Sequence, residues 1–106
     1  MLRIVDTVIA LVAEVAPIAE QIGRHDSALA KQLREALSSV ALNIAEGSDQ
    51  RGARRTNHYA IALGSARESF VALRAAGAWG YIGPVPKNIV DAFDKIIGTL
   101  VKNVRR

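Results

Sequence analysis

Three arginines fall within five positions, Arg51, Arg54 and Arg55, with Thr56, Asn57 and His58 directly behind them. Guanidinium groups at this density suit phosphate oxygens, because each offers a planar fork of donors that takes no account of base identity. The cluster falls where the pattern predicts the start of a helix, and free backbone amides there already favour an anion. Arg3 opens the chain and Lys102, Arg105 and Arg106 close it, so these cations would join the cluster if the ends meet it. The chemistry of such a patch is contact with the backbone of RNA or DNA, or of a nucleoprotein, with affinity set by salt. Base-stacking aromatics are missing beside it, so any readout would tolerate sequence. The plain alternative is a solvated loop.

A second set of polar residues lies where apolar ones are expected. Leu33, Leu37, Val40 and Ile44 repeat at the 4-3-4 spacing of one helix face, and Arg34, Ser39, Asn43 and Glu46 stand on or beside it, before a stop at Gly47. A buried polar group left unpaired costs about 1–3 kcal/mol. Arg34, Asn43, Glu46, Ser65 and Glu68 are therefore read as a structural polar network between two helices, one that fixes register and partner choice. A ligand or acid–base site would need paired carboxylates in a cleft, and nothing in the sequence marks a cleft.

Other chemistries find little support. There is no cysteine, hence no disulfide framework and no thiolate metal site, and a reducing cytoplasm is the simplest home. His25 stands alone in a turn, far from His58 and without acidic residues at ligand spacing. Asp91 and Asp94 suit charge near a helix start better than a metal. No phosphate-cradling glycine loop occurs. No cofactor, metal or small-molecule substrate is expected. Residues 1–50 carry four basic and seven acidic side chains and residues 51–106 ten and three, which divides the net charge of +4 into −3 and +7. A basic half points to a polyanion or an acidic neighbour. The apolar N-terminus holds Asp6, Glu14 and Pro17, which argues against a signal peptide and a membrane span.

These residues need elements to position them. The periodicity predicts four helices, at about 2–22, 27–46, 53–78 and 87–104, in one domain spanning 1–106. Ile4, Val8, Leu11, Val15, Ile18 and Ile22 form the first stripe, widened by Val5, Ile9, Val12 and Ala19, and a stripe so wide predicts a second packing partner. Pro17 should kink this helix and Gly23 should end it. Asp26 or Ser27 can cap the second. Tyr59, Leu63, Ala66, Phe70, Leu73 and Gly77 line the third, whose Ala62–Ala66 stretch is thin enough for close approach. Trp79 and Tyr81 in the following breaker stretch read as a hydrophobic plug or a subunit contact. Ile89, Phe93, Ile96 and Leu100 line the fourth. Short connections imply an all-α, antiparallel up-down-up-down four-helix bundle.

Gln32-Leu33-Arg34, Asn43-Ile44-Ala45-Glu46-Gly47, Ala62-Leu63-Gly64-Ser65 with Glu68, and Gly80-Tyr81-Ile82 resemble one family. These are the small bacterial proteins encoded by intervening sequences inside 23S ribosomal RNA genes, sometimes mislabelled as ribosomal proteins. The likeness covers about Ile4 to Val104. It implies a four-helix bundle assembling into a ring-shaped homopentamer. The accessory protein of diversity-generating retroelements looks like a relative, a basic pentamer that binds nucleic acid and a reverse transcriptase. Ala41-Leu42 stand where the family often has Pro-Ser, and Phe70 where it often has a second acidic residue. The function this implies is a non-enzymatic oligomeric scaffold or adaptor of undefined biological role, binding nucleic-acid backbone through Arg51, Arg54, Arg55, Lys102 and Arg105. Alternatives are a protein-only assembly module and, by the Arg-x6-His spacing of Arg51 and His58, a ribonuclease resembling the HEPN type. In that last reading His58 is the general base and Arg51 steadies the scissile phosphate.

Overall fold

The structure, a computed structural model, describes residues 2–105; Arg106 lies outside them. Four helices follow one another, α1 (Leu2–Gly23), α2 (Ser27–Ser48), α3 (Gly52–Ala78) and α4 (Lys87–Val104), and no strand occurs among the described residues. At about 1.5 Å per residue the longest helix, α3, spans about 40 Å, and it sets the 42 Å long axis of the bundle.

One apolar cluster drawn from all four helices holds the bundle together. The expected row of α4, Ile89, Phe93, Ile96 and Leu100, is buried throughout. In α1 Ile4, Val8, Leu11, Val15, Ala19 and Ile22 are buried, while Ile18 is half-buried and Ile9 stays exposed. In α3 Ala62, Ala66, Ser69, Ala72 and Ala76 face inward beside Tyr59, Leu63 and Leu73. Small residues let α3 approach α2 closely, and these two helices form the most extensive contact, ahead of α1–α2, α3–α4 and α1–α4. Phe70 is half-buried and tilts onto Phe93, with ring centres 5.3 Å apart. Gly77, placed on the inner row by its spacing, is exposed instead.

The helix ends show why the chain turns where it does. α1 runs unbroken through Pro17, and Ala13, whose carbonyl loses its helical donor there, lies on the exposed side. Gly23 is not the left-handed cap its type suggested, since only Gly52 and Gly80 adopt positive φ among the described residues. Instead the Arg24 amide donates to Gln21 and those of His25 and Asp26 donate to Ile22, tightening the last turn. Asp26 caps α2, its carboxylate accepting from the Leu29 amide at 3.0 Å. The C-terminus of α3 is closed by a two-bond motif: Tyr81 N donates to the Ala76 carbonyl at 2.9 Å and Gly80 N to that of Gly77 at 3.0 Å. That motif needs a left-handed residue at Gly80, whose φ is +80°.

Gly47 does not stop α2, which continues to Ser48. A Cβ on Gly47 would sit 2.6 Å from Cε1 and 2.8 Å from Cδ1 of Tyr59. The glycine is there because the Tyr59 ring lies flush on the α2 backbone.

Candidate functional site

The turn between α2 and α3 builds the basic cluster. Arg51 is extended, with φ −132° and ψ 157°, and Gly52 at φ +58° swings the chain into α3. No side chain caps this helix start, and no acidic residue stands in its first turn. Its leading amides and the positive end of its dipole are thus left to solvent or an anion. Arg51, Arg54 and Arg55 are all exposed.

The three arginines are not equivalent. Arg55 folds back, its Nε donating to the carbonyls of Gln50 at 2.9 Å and Gly47 at 3.4 Å, and Nη2 to that of Ser48 at 3.5 Å. It therefore serves as the C-terminal cap of α2. Arg51 and Arg54 carry no carboxylate partner among the described residues, and neither do Lys102 and Arg105, which are exposed at the end of α4. Arg3 shares a shallow depression with Ile4, Thr7, Lys95 and Thr99, so the start of α1 lies beside the latter half of α4.

Behind the cluster runs a polar seam between α2 and α3. Ser65 Oγ donates to Ser39 Oγ at 3.0 Å. Asn43 Nδ2 donates to Ser39 O at 3.0 Å and Ser39 Oγ at 3.1 Å. That commits the Asn43 amide nitrogen, so its Oδ1 must be the acceptor facing His58 Nδ1 at 3.1 Å, which assigns a proton to Nδ1. Glu46 Oε2 lies 3.6 Å from the same nitrogen. Ser69, fully buried, donates to the Ser65 carbonyl at 2.7 Å. No buried side-chain polar atom among the described residues lacks a partner.

The seam thus brings together Asn43, Glu46 and Ser65 and adds Ser39 and His58. It leaves out Arg34 and Glu68, both exposed and without a hydrogen bond or ion pair among the described residues. Arg34 is nine positions from Asn43, about half a turn round α2, and the two stand on opposite rims of an open groove with Ser38, Ser39, Leu42 and Glu46 between them. Arg34 also borders an apolar cleft of about 280 Å³ against α1, lined by Val12, Val15, Ala16, Leu33 and Leu37. The sign that would have found His58 is near-symmetry about the turn, since Asn43 and His58 lie seven and eight positions from Gln50 at its centre.

No hydrogen bond links Arg51 to His58, whose Nδ1 is engaged by Asn43 and Glu46. No group of three His, Cys, Asp or Glu able to hold a metal occurs among the described residues. No helix there is long and apolar enough to cross a membrane.

At the α3–α4 connection the aromatic residues depart from expectation. His25 is not alone: its ring stacks on Tyr81, 5.2 Å apart and 6° from parallel. Tyr81 in turn stacks on Trp79 at 6.3 Å and 16°. Trp79 plugs nothing within the chain, being 71% exposed.

Comparison with known proteins bears on identity. A search of curated proteins finds no match. A crystal structure at 1.70 Å resolution of a protein of unknown function, from the S23 ribosomal protein family of Bacteroides thetaiotaomicron, superposes with a TM-score of 0.81. It shares 18% identity, with 97% of this chain and 99% of that one covered, so the likeness establishes the fold alone. The model of the 23S rRNA-intervening sequence proteins matches residues 1–102, as the Asn43–Gly47 and Ala62–Ser65 words implied. The chain belongs to the 23S rRNA-intervening sequence protein family.

Proposed function

We propose that this protein is a non-enzymatic helical scaffold that self-associates, as a ring of five by family resemblance, and docks the phosphate backbone of nucleic acid on a basic end. The observation that carries the reading is that Arg51 and Arg54 in the α2–α3 turn and Lys102 and Arg105 at the end of α4 are exposed without carboxylate partners among the described residues, as Arg3, Arg34, Arg67, Arg74 and Lys95 also are along the helices.

The gathering of the first four at one end rests on an up-down-up-down course of the helices. Cross-helix contacts support that course. Along α1, Glu14 meets Asn88 and Gln21 meets Tyr81, while Arg3 neighbours Lys95 and Thr99, so positions on the later segment fall as those on α1 rise. Between α2 and α3, Ser39 pairs with Ser65 and Asn43 with His58. On this course the start of α1, the α2–α3 turn and the end of α4 share one end of the bundle. Arg3, Arg51, Arg54, Arg55, Lys102 and Arg105 then outnumber the nearby Asp6, Glu46 and Asp49.

Exposed Ile9, Leu42, Ile61 and Val71 support self-association, since apolar side chains on outer helix faces are what a neighbouring subunit would cover. The first test is light-scattering mass with and without a short labelled RNA, at low and moderate salt. The reading expects several chains per particle and a mass that rises with RNA at low salt. An oligomer indifferent to RNA favours a protein-only assembly module, and a monomer removes self-association. RNA cleavage abolished by His58→Ala would replace the scaffold with a ribonuclease.

A further inference from the structure

The three stacked rings of His25, Tyr81 and Trp79 are unaccounted for by the basic end. They lie at the α1–α2 turn and the α3–α4 connection, the other end of the bundle on the course proposed above. Their planes are near parallel and offset, one of the two favourable geometries of aromatic pairs, whereas Phe70 and Phe93 in the core tilt at 48°. Here the successive tilts are 6° and 16°, so the rings form one flat-sided pile with the exposed indole at its end.

The pile is held rigid from below. The Tyr81 amide is tied to the Ala76 carbonyl by the motif that closes α3, and the Tyr81 carbonyl accepts from Gln21 Nε2 of α1 at 3.3 Å. Gly80 and Gly77 around Trp79 carry no side chain and have nothing within 4 Å of a notional Cβ, which leaves the indole unscreened. The large exposed aliphatic residues Ile9, Leu42, Ile61 and Val71 all stand on helices, none in this connection. The exposed indole at the end of these rings offers a flat π-system a face to stack on, beside the apolar Ile82, Pro84, Val85 and Pro86 of the same connection. Arg74, less than two turns before Trp79, is an exposed cation near it in sequence, and Arg24, beside His25, is another, paired with Glu20 at 3.8 Å.

We propose that Trp79, backed by Tyr81 and His25, is a stacking subsite for an unpaired base of a single-stranded nucleic acid. The proposal rests on the backbone-binding reading and deepens it: the preferred ligand is single-stranded, long enough to run from the basic end to the aromatic one along the 42 Å axis. Stacking is sequence-tolerant, because every base has a π-face. RNA and DNA supply the same chemistry and both serve as probes.

Trp79 is the only tryptophan, so its emission reports this site alone. The full-length protein is titrated with single-stranded RNA, single-stranded DNA, a duplex of the same length and an abasic strand of equal charge, following indole emission and, separately, anisotropy of a label on the strand. The expected result is quenching by both single strands and none by duplex or abasic strand. Trp79→Leu should weaken single-strand binding about 5- to 150-fold, the effect of one lost stacked base, with binding recovered in Trp79→Phe and an unchanged unfolding midpoint in both. A difference between the RNA and DNA titrations would assign the physiological strand. Salt-dependent binding of all four probes with constant indole emission would overturn the stacking subsite and leave the basic end standing. No binding of any probe at low salt would overturn both.

Discussion

A single hydrogen in place of a methyl decides how α2 and α3 meet. Alanine at Gly47 would gain about 1 kcal/mol of helix propensity. Its Cβ would also have to displace the ring of Tyr59, which is 2% exposed and hydrogen-bonded through its hydroxyl to Ser48 at 3.4 Å. Overpacking of this kind costs about 1–3 kcal/mol, and the ring belongs to the buried core rather than to a flexible surface tip. Gly47→Ala should therefore lower the urea midpoint at constant slope, and the loss should shrink when Tyr59 is first changed to Leu. Asn43 is the second position where one side chain matters. Asn43→Ala leaves Ser39 Oγ with Ser65 alone and His58 Nδ1 facing only Glu46 at 3.6 Å, with an expected loss of about 1 kcal/mol by thermal or urea unfolding. Sequence marked both residues but gave Gly47 the wrong reason. Its place in the row after Val40 and Ile44 was a legible sign that it faces inward, whereas Tyr59 across the interface was not, because partner distances are a tertiary matter.

Helix ends carry the next set of consequences. Arg55→Ala removes the side-chain donor to the Ser48 and Gln50 carbonyls, with that of Gly47 keeping the Gln50 amide, and should cost about 1 kcal/mol. Arg54→Ala, which caps nothing, should stay within about 0.5 kcal/mol. A pair of thermal melts distinguishes them. At the start of α4 the Lys87 ammonium is held above its ordinary range, first by its hydrogen bond to Asp91 and then by the charge of that carboxylate, against a small opposing effect of desolvation. A raised folded pKa means that the stabilisation is whole below the unfolded lysine value and is lost as pH rises through the folded one. What this solvent-exposed pair contributes to the start of α4 should thus be lost in strong alkali. Asp91→Asn should return the Lys87 titration, read by NMR at its Cε, toward the ordinary range. α4 was legible because its apolar row is strict and its other face polar. α3 was less so: alanine and glycine occur on both its faces, so spacing alone put Gly77 inside and left Ser69 out. Of the two readings of Trp79, the plug fails because the indole is 71% exposed, and only the backbone motif at Gly80 shows that the chain turns there rather than folding the ring back.

For the whole molecule, charge distribution yields the sharpest expectation. Each phosphate contact contributes about −0.9 to the slope of log affinity against log salt. Arg54→Glu should flatten that slope by about 1 or more and weaken binding to all sequences alike, measured by anisotropy across a salt series. The basic patch was readable as a run of arginines. The division of labour within it was not, since nothing in the run tells Arg55 from Arg54 until the α2 carbonyls are in place. The close seat of Tyr59 on Gly47 also bears on how the chain finds its fold. α2 and α3 are joined by only three residues and share the largest interface, so their pairing closes a short loop early and cheaply in entropy. A helical hairpin of that kind is the natural nucleus for folding, and a tight key-in-slot contact within it would already be made at the rate-limiting barrier. Stability lost at Gly47 would then surface as slower refolding, with the unfolding rate nearly unchanged.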